Sequence, residues 1–485
     1  MPDVGGSACL VAPTGADVDG IRRQTMQTAK LLTAAAWRVH VLWCGPVDAC
    51  LRAETAAAGA VCCFLDDFAC PETLTLDGPH LFRALHDSDR VFWALRTLHE
   101  QHRFQRIEFP DVGGLGFRSI QAQQTGQAFG EAALCVQEHC LSRDAQHEGQ
   151  KWLWRPEDMA LDYMERYARE QCHNPEARAR ESLARPSGLP LVTVSVAYFN
   201  LGDHLEETLT FLARQSYANL EVLVINDGST EPRSIAVFER MRTRFPHFRF
   251  LEQPNAGIGA TRNRGLREAR GKYFIPVDAD NIPRLDMVER FVQGMEHDQD
   301  LAALTCYFLA FRRFADLVEG EFAYAYKPVG GPRVLGCLQN VYGDGNAVFR
   351  TEALRAVGGF ETDRDTSFED WEAFVKLANA GQRLDVIPDF LFYYRHRDAG
   401  FSRVTDGYRN HQRVLRQFFD IDDLSRHERV LLWNLLAGMQ HRLAEVEDMN
   451  QTLTKTLSAR RYRLADGVRY AMTRLAESAK RAVGL

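Results

Sequence analysis

The sequence predicts an α/β protein: two successive runs of alternating strand and helix patterns, then a helical end. Three observations carry this. Short apolar stretches recur between amphipathic stretches over about 7–175. The same alternation returns over about 190–418, where each strand runs into a polar or glycine-containing turn. After about 426, apolar residues fall at three- and four-residue steps. Alternation of this kind implies parallel sheets with helices on both faces.

In the first run, Ala8–Pro13 reads as a strand, Ile21–Ala36 as a helix and Arg38–Trp43 as a second strand. Ala60–Leu65 and Arg106–Phe109 read as further strands. His173-Asn174-Pro175-Glu176 stops a helix, and Arg185-Pro186-Ser187-Gly188-Leu189-Pro190 reads as a linker. The expected division is therefore a domain at 1–175, a linker at 176–190 and a second domain at 191–418. There, strand Leu191–Ala197 leads to helix His204–Arg214, and strand Leu220–Asn226 to helix Pro232–Phe245. Strand Arg249–Glu252 leads to helix Ile258–Ala269, and strand Lys272–Val277 ends in acid.

Residues 419–485 form the expected helical tail. Leu432, Leu435, Met439, Leu443, Val446, Leu453 and Leu457 make one seam, with Asn450 on it. Such a seam either pairs two copies as a short coiled coil or packs on the body. From Lys455 to Arg481 eight Lys and Arg face two Asp and Glu. This end is either a solvated helix face or an interfacial helix on anionic lipid, with Tyr462, Leu464, Val468, Met472 and Leu475 as its apolar side.

The 485 residues are 45% apolar and 25% charged, enough for about three domains of ~150 residues. A net charge of −7 gives no global basic field, so nucleic acid is not an expected partner. No apolar run reaches the ~18–20 residues of a membrane helix. Leu301–Phe311 comes nearest and is followed by Arg312 and Arg313. The N-terminus carries no basic segment, so a cytoplasmic chain is expected, with the tail able to reach the inner face of the plasma membrane. Nine of the 11 cysteines precede residue 175 and none forms a Cys-x-x-Cys pair, so they read as reduced, mostly buried side chains.

Ligands of doubly wound sheets sit beyond the carboxyl ends of the strands, and polar residues cluster there. Asp278-Ala279-Asp280 ends a strand; positions i and i+2 of a strand face the same way, so both carboxylates can meet one divalent cation. Alone, the pair would read as surface acids. Asp227-Gly228-Ser229 follows an apolar strand; Asp227 can accept from a base or ribose, or cap a turn. Gly257 and Gly259 let backbone approach a ligand at a helix N-terminus, and Arg262 can pair with a diphosphate. Asp370 reads otherwise as an acid favouring the dipole of a Trp371–Ala380 helix.

In order and at ordinary spacing, Asn226-Asp227-Gly228-Ser229, Asn255-x-Gly257, Arg262-Asn263-x-Gly265 and Asp278-x-Asp280 resemble a family 2 glycosyltransferase of the GT-A fold over about 190–418. Gly343–Arg350, Phe368-Glu369-Asp370-Trp371-Glu372 and Phe392-Tyr393-Tyr394-Arg395-His396 resemble later segments of that family. The resemblance implies a metal-dependent, inverting transfer of a sugar from a nucleoside diphosphate sugar to a hydroxyl of a glycan or lipid-linked acceptor, as in building a bacterial surface glycan. It places Ala197, Tyr198, Asn200, Asp227, Asn255, Arg262 and Asp278 on the donor, Asp280 on Mn²⁺ or Mg²⁺, and Asp370 as general base. Asn346, Glu369 and Trp371 fall on the acceptor side. His396 is either a further metal ligand or a satisfied polar side chain. Ala197-Tyr198-Phe199-Asn200 departs from the family's usual Pro-Thr-Tyr-Asn, and Asn281 stands where many relatives carry an acid.

Residues 7–175 resemble the acceptor-side half of a family 4, GT-B glycosyltransferase through Leu10–Pro13, Ile107–Phe117 and Leu161–Arg166. The nucleotide-binding half of that fold is missing, so this domain is not expected to catalyse transfer alone. Glu157 and Glu165 read as helix surface, and the Gly113–Gly116 loop either recognises an acceptor or turns tightly. Two other functions compete: an inactive glycan-binding or scaffold subunit, which Asp280 and Asp370 argue against, and a nucleotidyltransferase, which would leave Glu369-Asp370 without a role.

Overall fold

The computed structural model describes residues 6–14, 19–68, 70–71, 83–137, 156–173, 188–331, 333–364, 366–397 and 405–417, with a few isolated positions beyond. The readings of the tail at 426–485 and of most of the linker lie outside the described residues. No helix among the described residues is long and apolar enough to cross a membrane.

The first sheet holds β1 (Ser7–Pro13), β2 (Arg38–Cys44), β3 (Val61–Phe64), β4 (Arg106–Pro110) and β5 (Ala133–Gln137). All its pairings are parallel, in the order β3-β2-β1-β4-β5. The inner strands are buried on both faces, which is why they read as continuous apolar runs rather than as alternation. The helix Pro156–His173 packs against β5 and reaches the turn that follows β4. It corrects the reading of Glu165 as helix surface: the residue is 4% exposed, and its Oε1 accepts the Gly113 N–H at 2.7 Å. The turn after β4 leaves a half-buried N–H, and Glu165 supplies its acceptor.

The second sheet holds β6 (Val192–Tyr198), β7 (Leu220–Asn226), β8 (Arg249–Glu252), β9 (Tyr273–Asp278), β10 (Ile282–Pro283), β11 (Leu301–Phe311), β12 (Tyr324–Tyr326), β13 (Val348–Arg350) and β14 (Arg383–Arg395). Its order is β10-β14-β11-β13-β9-β6-β7-β8, with β12 on β11. β6, β7, β8 and β9 pair in parallel, joined by the expected crossover helices, here Leu205–Leu212, Pro232–Arg244 and Ile258–Glu268. The apolar run Leu301–Phe311 is a strand buried at every position, seated between β13 and β14. Val194, Val224, Ile275 and Leu304 are fully buried in one cluster, each worth roughly 1.5–3 kcal/mol of burial. That core fixes the register of the strand ends.

One reversal decides where the chemistry falls. β13 runs antiparallel to both β9 and β11. Its approach, Gly343–Ala347, therefore lies at the sheet edge where β6, β7, β9 and β11 finish.

Candidate active site

That edge opens into a cavity of about 1280 Å³. Asp227 follows β7, Asp278 ends β9, Asp280 follows in the next turn, and Asp344 precedes β13. Glu369 and Asp370 open the helix Glu369–Asn379. All six acids line this one cavity.

Asp227 is 4% exposed and committed to the neighbouring loop. Its Oδ1 accepts from Gln253 Nε2 at 2.7 Å and from Ala256 N–H at 2.9 Å; its Oδ2 accepts from Gly257 N–H at 2.9 Å. The Gly257 amide, expected to meet a ligand, is held by a carboxylate instead. Gly257 sits at φ +91°, open to glycine at little cost, and a Cβ at Gly259 would lie 1.7 Å from the Glu361 carbonyl. Gly259 therefore serves the close approach of two chain segments, not of a ligand. Asn255 donates to the Asp227 carbonyl at 3.0 Å and accepts from Arg364 at 2.8 Å.

Arg262, expected to reach a diphosphate, is spent on the chain's own acids. It is 4% exposed and donates to Asp278 Oδ1 at 2.8 Å and to Glu369 Oε1 at 2.5 Å. Burial alone would lower its pKa, but Asp278, Glu369 and Asp370 raise it, so it stays a cation. Around it the acids are crowded. Burial, then the charges of Asp278 and Asp370, push the Asp344 carboxyl up to about 7. Burial likewise raises Glu369 and Asp370, against the pull of Arg262. Asn346 is 2% exposed; its Oδ1 accepts from the Asp278 N–H at 3.3 Å, and it ties Asp344 to β9 from behind the cavity wall.

Asp370 is both helix-terminal and cavity-lining. Its Oδ1 accepts the Trp371 N–H at 2.7 Å within the first helical turn, and its carboxyl faces the cavity. The preceding Phe368 sits at φ +70°, a left-handed conformation costing a bulky residue roughly 1–2 kcal/mol. Its ring packs 5.5 Å from Trp371 and 5.2 Å from His411, and all three line the cavity. Phe308, Tyr324, Tyr326 and Tyr394 supply further aromatic lining.

Asp278 and Asp280 do not share a strand face: β9 ends at Asp278 and Asp280 lies in a turn. Thr208 Oγ1 holds that turn, 2.9 Å from both the Ala279 and Asn281 carbonyls. Burial pushes the Asp280 carboxyl up to about 6, with Arg397 opposing at 2.7 Å from its Oδ2. His396 does not line the cavity; its Nδ1 lies 3.5 Å from the Tyr324 hydroxyl. The residue beside Asp280 is its neighbour Arg397. Asn281 accepts the Arg395 N–H at 2.9 Å and so ties the turn to β14.

Residues 193–358 match the family described as "Glycosyl transferase family 2". They form a family 2 glycosyl transferase domain. An uncharacterized glycosyltransferase of Escherichia coli, YibD, is 37% identical over 112 residues, 23% of this chain and 32% of that one. The chain spans about a third of the length of such relatives. Chondroitin synthase of Pasteurella multocida is 28% identical over 116 residues, 24% of this chain and 12% of the synthase. Among solved structures, the mannosyltransferase PcManGT of Pyrobaculum calidifontis, in complex with GDP-Man and Mn²⁺, gives a TM-score of 0.39 at 23% identity, covering 54% of this chain and 74% of that one.

Within the family 2 domain, not every residue expected on the donor presents its side chain. Ala197 and Tyr198 line the cavity. The Tyr198 ring is 1% exposed, stacks on Phe238 and donates its hydroxyl to the Ser234 carbonyl at 2.7 Å. It belongs to the core, because β6 is buried on both faces. Asn200, at φ +52°, accepts the Thr230 and Glu231 N–H groups at 2.8 and 3.1 Å and fixes the entry of the helix Pro232–Arg244. Trp371 is 4% exposed and donates its Nε1–H to the Gly336 carbonyl. The sequence reading gave no role to Asp344, Phe199, Arg364, Arg397 or His411, which line the cavity. For Asp344 a signal existed: an acid between two glycines before a short apolar segment.

Asp344 also sets a pH dependence of stability. A carboxyl whose folded pKa is raised binds its proton more tightly folded than unfolded, so stability falls as pH rises from about 4 to about 7. Asp344→Asn keeps an acceptor for Asn346 and removes that penalty. The variant is expected to melt roughly 5 °C above the parent at pH 8 and level with it near pH 4. Melting curves across that range check it; equal Tm at pH 8 would refute the crowding of the acids.

Proposed function

We propose that the chain is an inverting glycosyltransferase that moves a sugar from a nucleoside diphosphate sugar to an acceptor hydroxyl, as a step in making a glycan. The observation that carries this is the convergence of Asp227, Asp280 and Asp370, on three separate elements, in one cavity large enough for a donor and an acceptor. Asp227 and the loop it pins form the base-side floor. Asp278, tied to Arg262, takes the ribose in this reading. Asp370, raised above the ordinary carboxylate range, takes the acceptor proton as the hydroxyl attacks the anomeric carbon. The sugar carbon gains oxocarbenium character and the leaving diphosphate gains charge, so only modest activation of the nucleophile is needed. The aromatic walls suit the C–H faces of sugar rings, which makes a glycan the favoured acceptor.

The donor set fits Mn²⁺ or Mg²⁺ in one way. Among the described residues no group of three or more His, Cys, Asp or Glu side chains is arranged to hold a metal. The buried Asp280 carboxyl, with Asp278 beside it, offers the one or two carboxylates such a cation takes when diphosphate oxygens and water complete its shell. When bound, the cation would neutralise charge on the departing diphosphate. Arg397 holds Asp280 otherwise.

A thermal-shift screen of UDP-, GDP- and dTDP-sugars, with and without Mn²⁺, tests the proposal. At least one donor should raise Tm in a Mn²⁺-dependent way. Asp280→Asn should abolish the Mn²⁺-dependent part and leave any metal-free shift. No shift with any donor would refute the reading; an unchanged Mn²⁺ effect in the variant would remove Asp280 as ligand.

A further inference from the structure

We infer that the N-terminal sheet domain is a positioning module for the aromatic wall of the cavity built on β11, β12 and β14. This rests on the proposed transfer reaction. Three strands of the second sheet present aromatic rings to the cavity at one side and meet the N-terminal domain at the other. On β11, Phe308 lines the cavity while the adjacent Tyr307 points away and donates to Asp89 Oδ1 at 2.6 Å. Tyr324 and Tyr326 of β12 line the cavity, and the chain leaves that strand through Lys327, whose Nζ lies 3.6 Å from Asp89 Oδ2. On β14, Tyr394 lines the cavity, while Asp385 accepts from Gln121 and from the Tyr167 hydroxyl, both at 2.7 Å.

The chemistry of this contact is selective. Arg118, fully buried, donates to the Pro328 carbonyl at 2.8 Å and packs its guanidinium 4.9 Å over the Tyr307 ring. Gln121 donates to the Val329 carbonyl at 3.3 Å. Two successive backbone carbonyls beyond β12 are thus captured by side chains of one short helix, Phe117–Gln124. Domains joined only for stability can bury apolar surface; here buried charged and amide groups fix the path of a particular backbone segment. Breaking such a contact leaves unpaired polar groups on both sides, so each bond constrains where β12 can sit. The donor side, built on β6, β7 and β9, receives none of these bonds.

Hydrogen exchange on the full chain tests this. The Val329 and Gly330 amides bond to the Val341 carbonyl at 3.0 and 2.8 Å and report on the segment. In Gln121→Met and Arg118→Met, exchange over 324–331 should rise roughly tenfold or more, while 192–198 and 220–226 stay unchanged. Arg118→Lys should restore part of the protection. Affinity for UDP or GDP with Mn²⁺ should stay within about twofold. Exchange rising evenly across both halves, no change at 324–331, or nucleotide affinity falling in step would each overturn the inference. If Arg118→Met does not fold, Gln121→Met, which removes no charge, decides. If the parent binds neither nucleotide, the donor reading fails and the exchange result still stands on its own.

Discussion

Asp370→Asn is expected to lower sugar transfer by about 10²–10⁴-fold while nucleotide affinity stays within a few fold. The asparagine keeps an acceptor for the Trp371 N–H, so the first turn of the helix Glu369–Asn379 is preserved. It also replaces a carboxyl that burial holds above its ordinary range with a neutral amide, so the variant should melt no lower than the parent. Loss of rate without loss of stability separates the base from the helix-terminal acid, although one side chain fills both positions. The parent's kcat/KM should fall on the acid side through an apparent pKa above the usual aspartate range, because the base works only deprotonated. Activity within tenfold of the parent would remove Asp370 from the proposed role.

The way these residues meet shows what a linear reading can reach. Strands Leu220–Asn226 and Arg249–Glu252 are found with the bounds expected, because turn chemistry marks each end; the first is also buried on both faces over most of its length, while the second is an edge strand. The acids at those ends follow directly. The antiparallel insertion of β13 was not legible: three residues carry too little pattern, and its partners β9 and β11 lie far away in sequence. Asp344 depends on that insertion, so its place beside Asp278 and Asp370 stayed hidden although its neighbours were noticed. A second limit is which way a side chain turns. Motif position puts Tyr198, Asn200 and Arg262 at the cavity, yet each is engaged by the protein itself. The backbone of such segments is legible; the partner each polar group finds is a three-dimensional matter. His396 and Arg397 show this at the scale of one residue, since the ring turns to Tyr324 and the next side chain meets Asp280.

Arg262→Met should cost about 3–5 kcal/mol of stability, the range for removing one partner of a buried ion pair. Its guanidinium is the cation between Asp278 and Glu369, with Asp370 and Asp344 close behind. Without it, like charges repel in a site that burial has already made hostile to them. If that account holds, the loss depends on the acids more than on lost packing. Arg262→Met with Glu369→Gln should therefore recover a large part of the stability, and urea unfolding of the two single variants and the double would measure the coupling. Lowering the pH should narrow the gap between Arg262→Met and the parent, because the unpaired acids take up protons. Arg262→Lys should fall between the two, keeping the charge without the fork that reaches both carboxylates. Additive losses in the double variant would mean that Arg262 acts through its contact with Phe360, 5.6 Å from the guanidinium, and not through charge. Transfer should fall in all of these variants, since Asp278 and Asp370 would no longer be held at their present spacing.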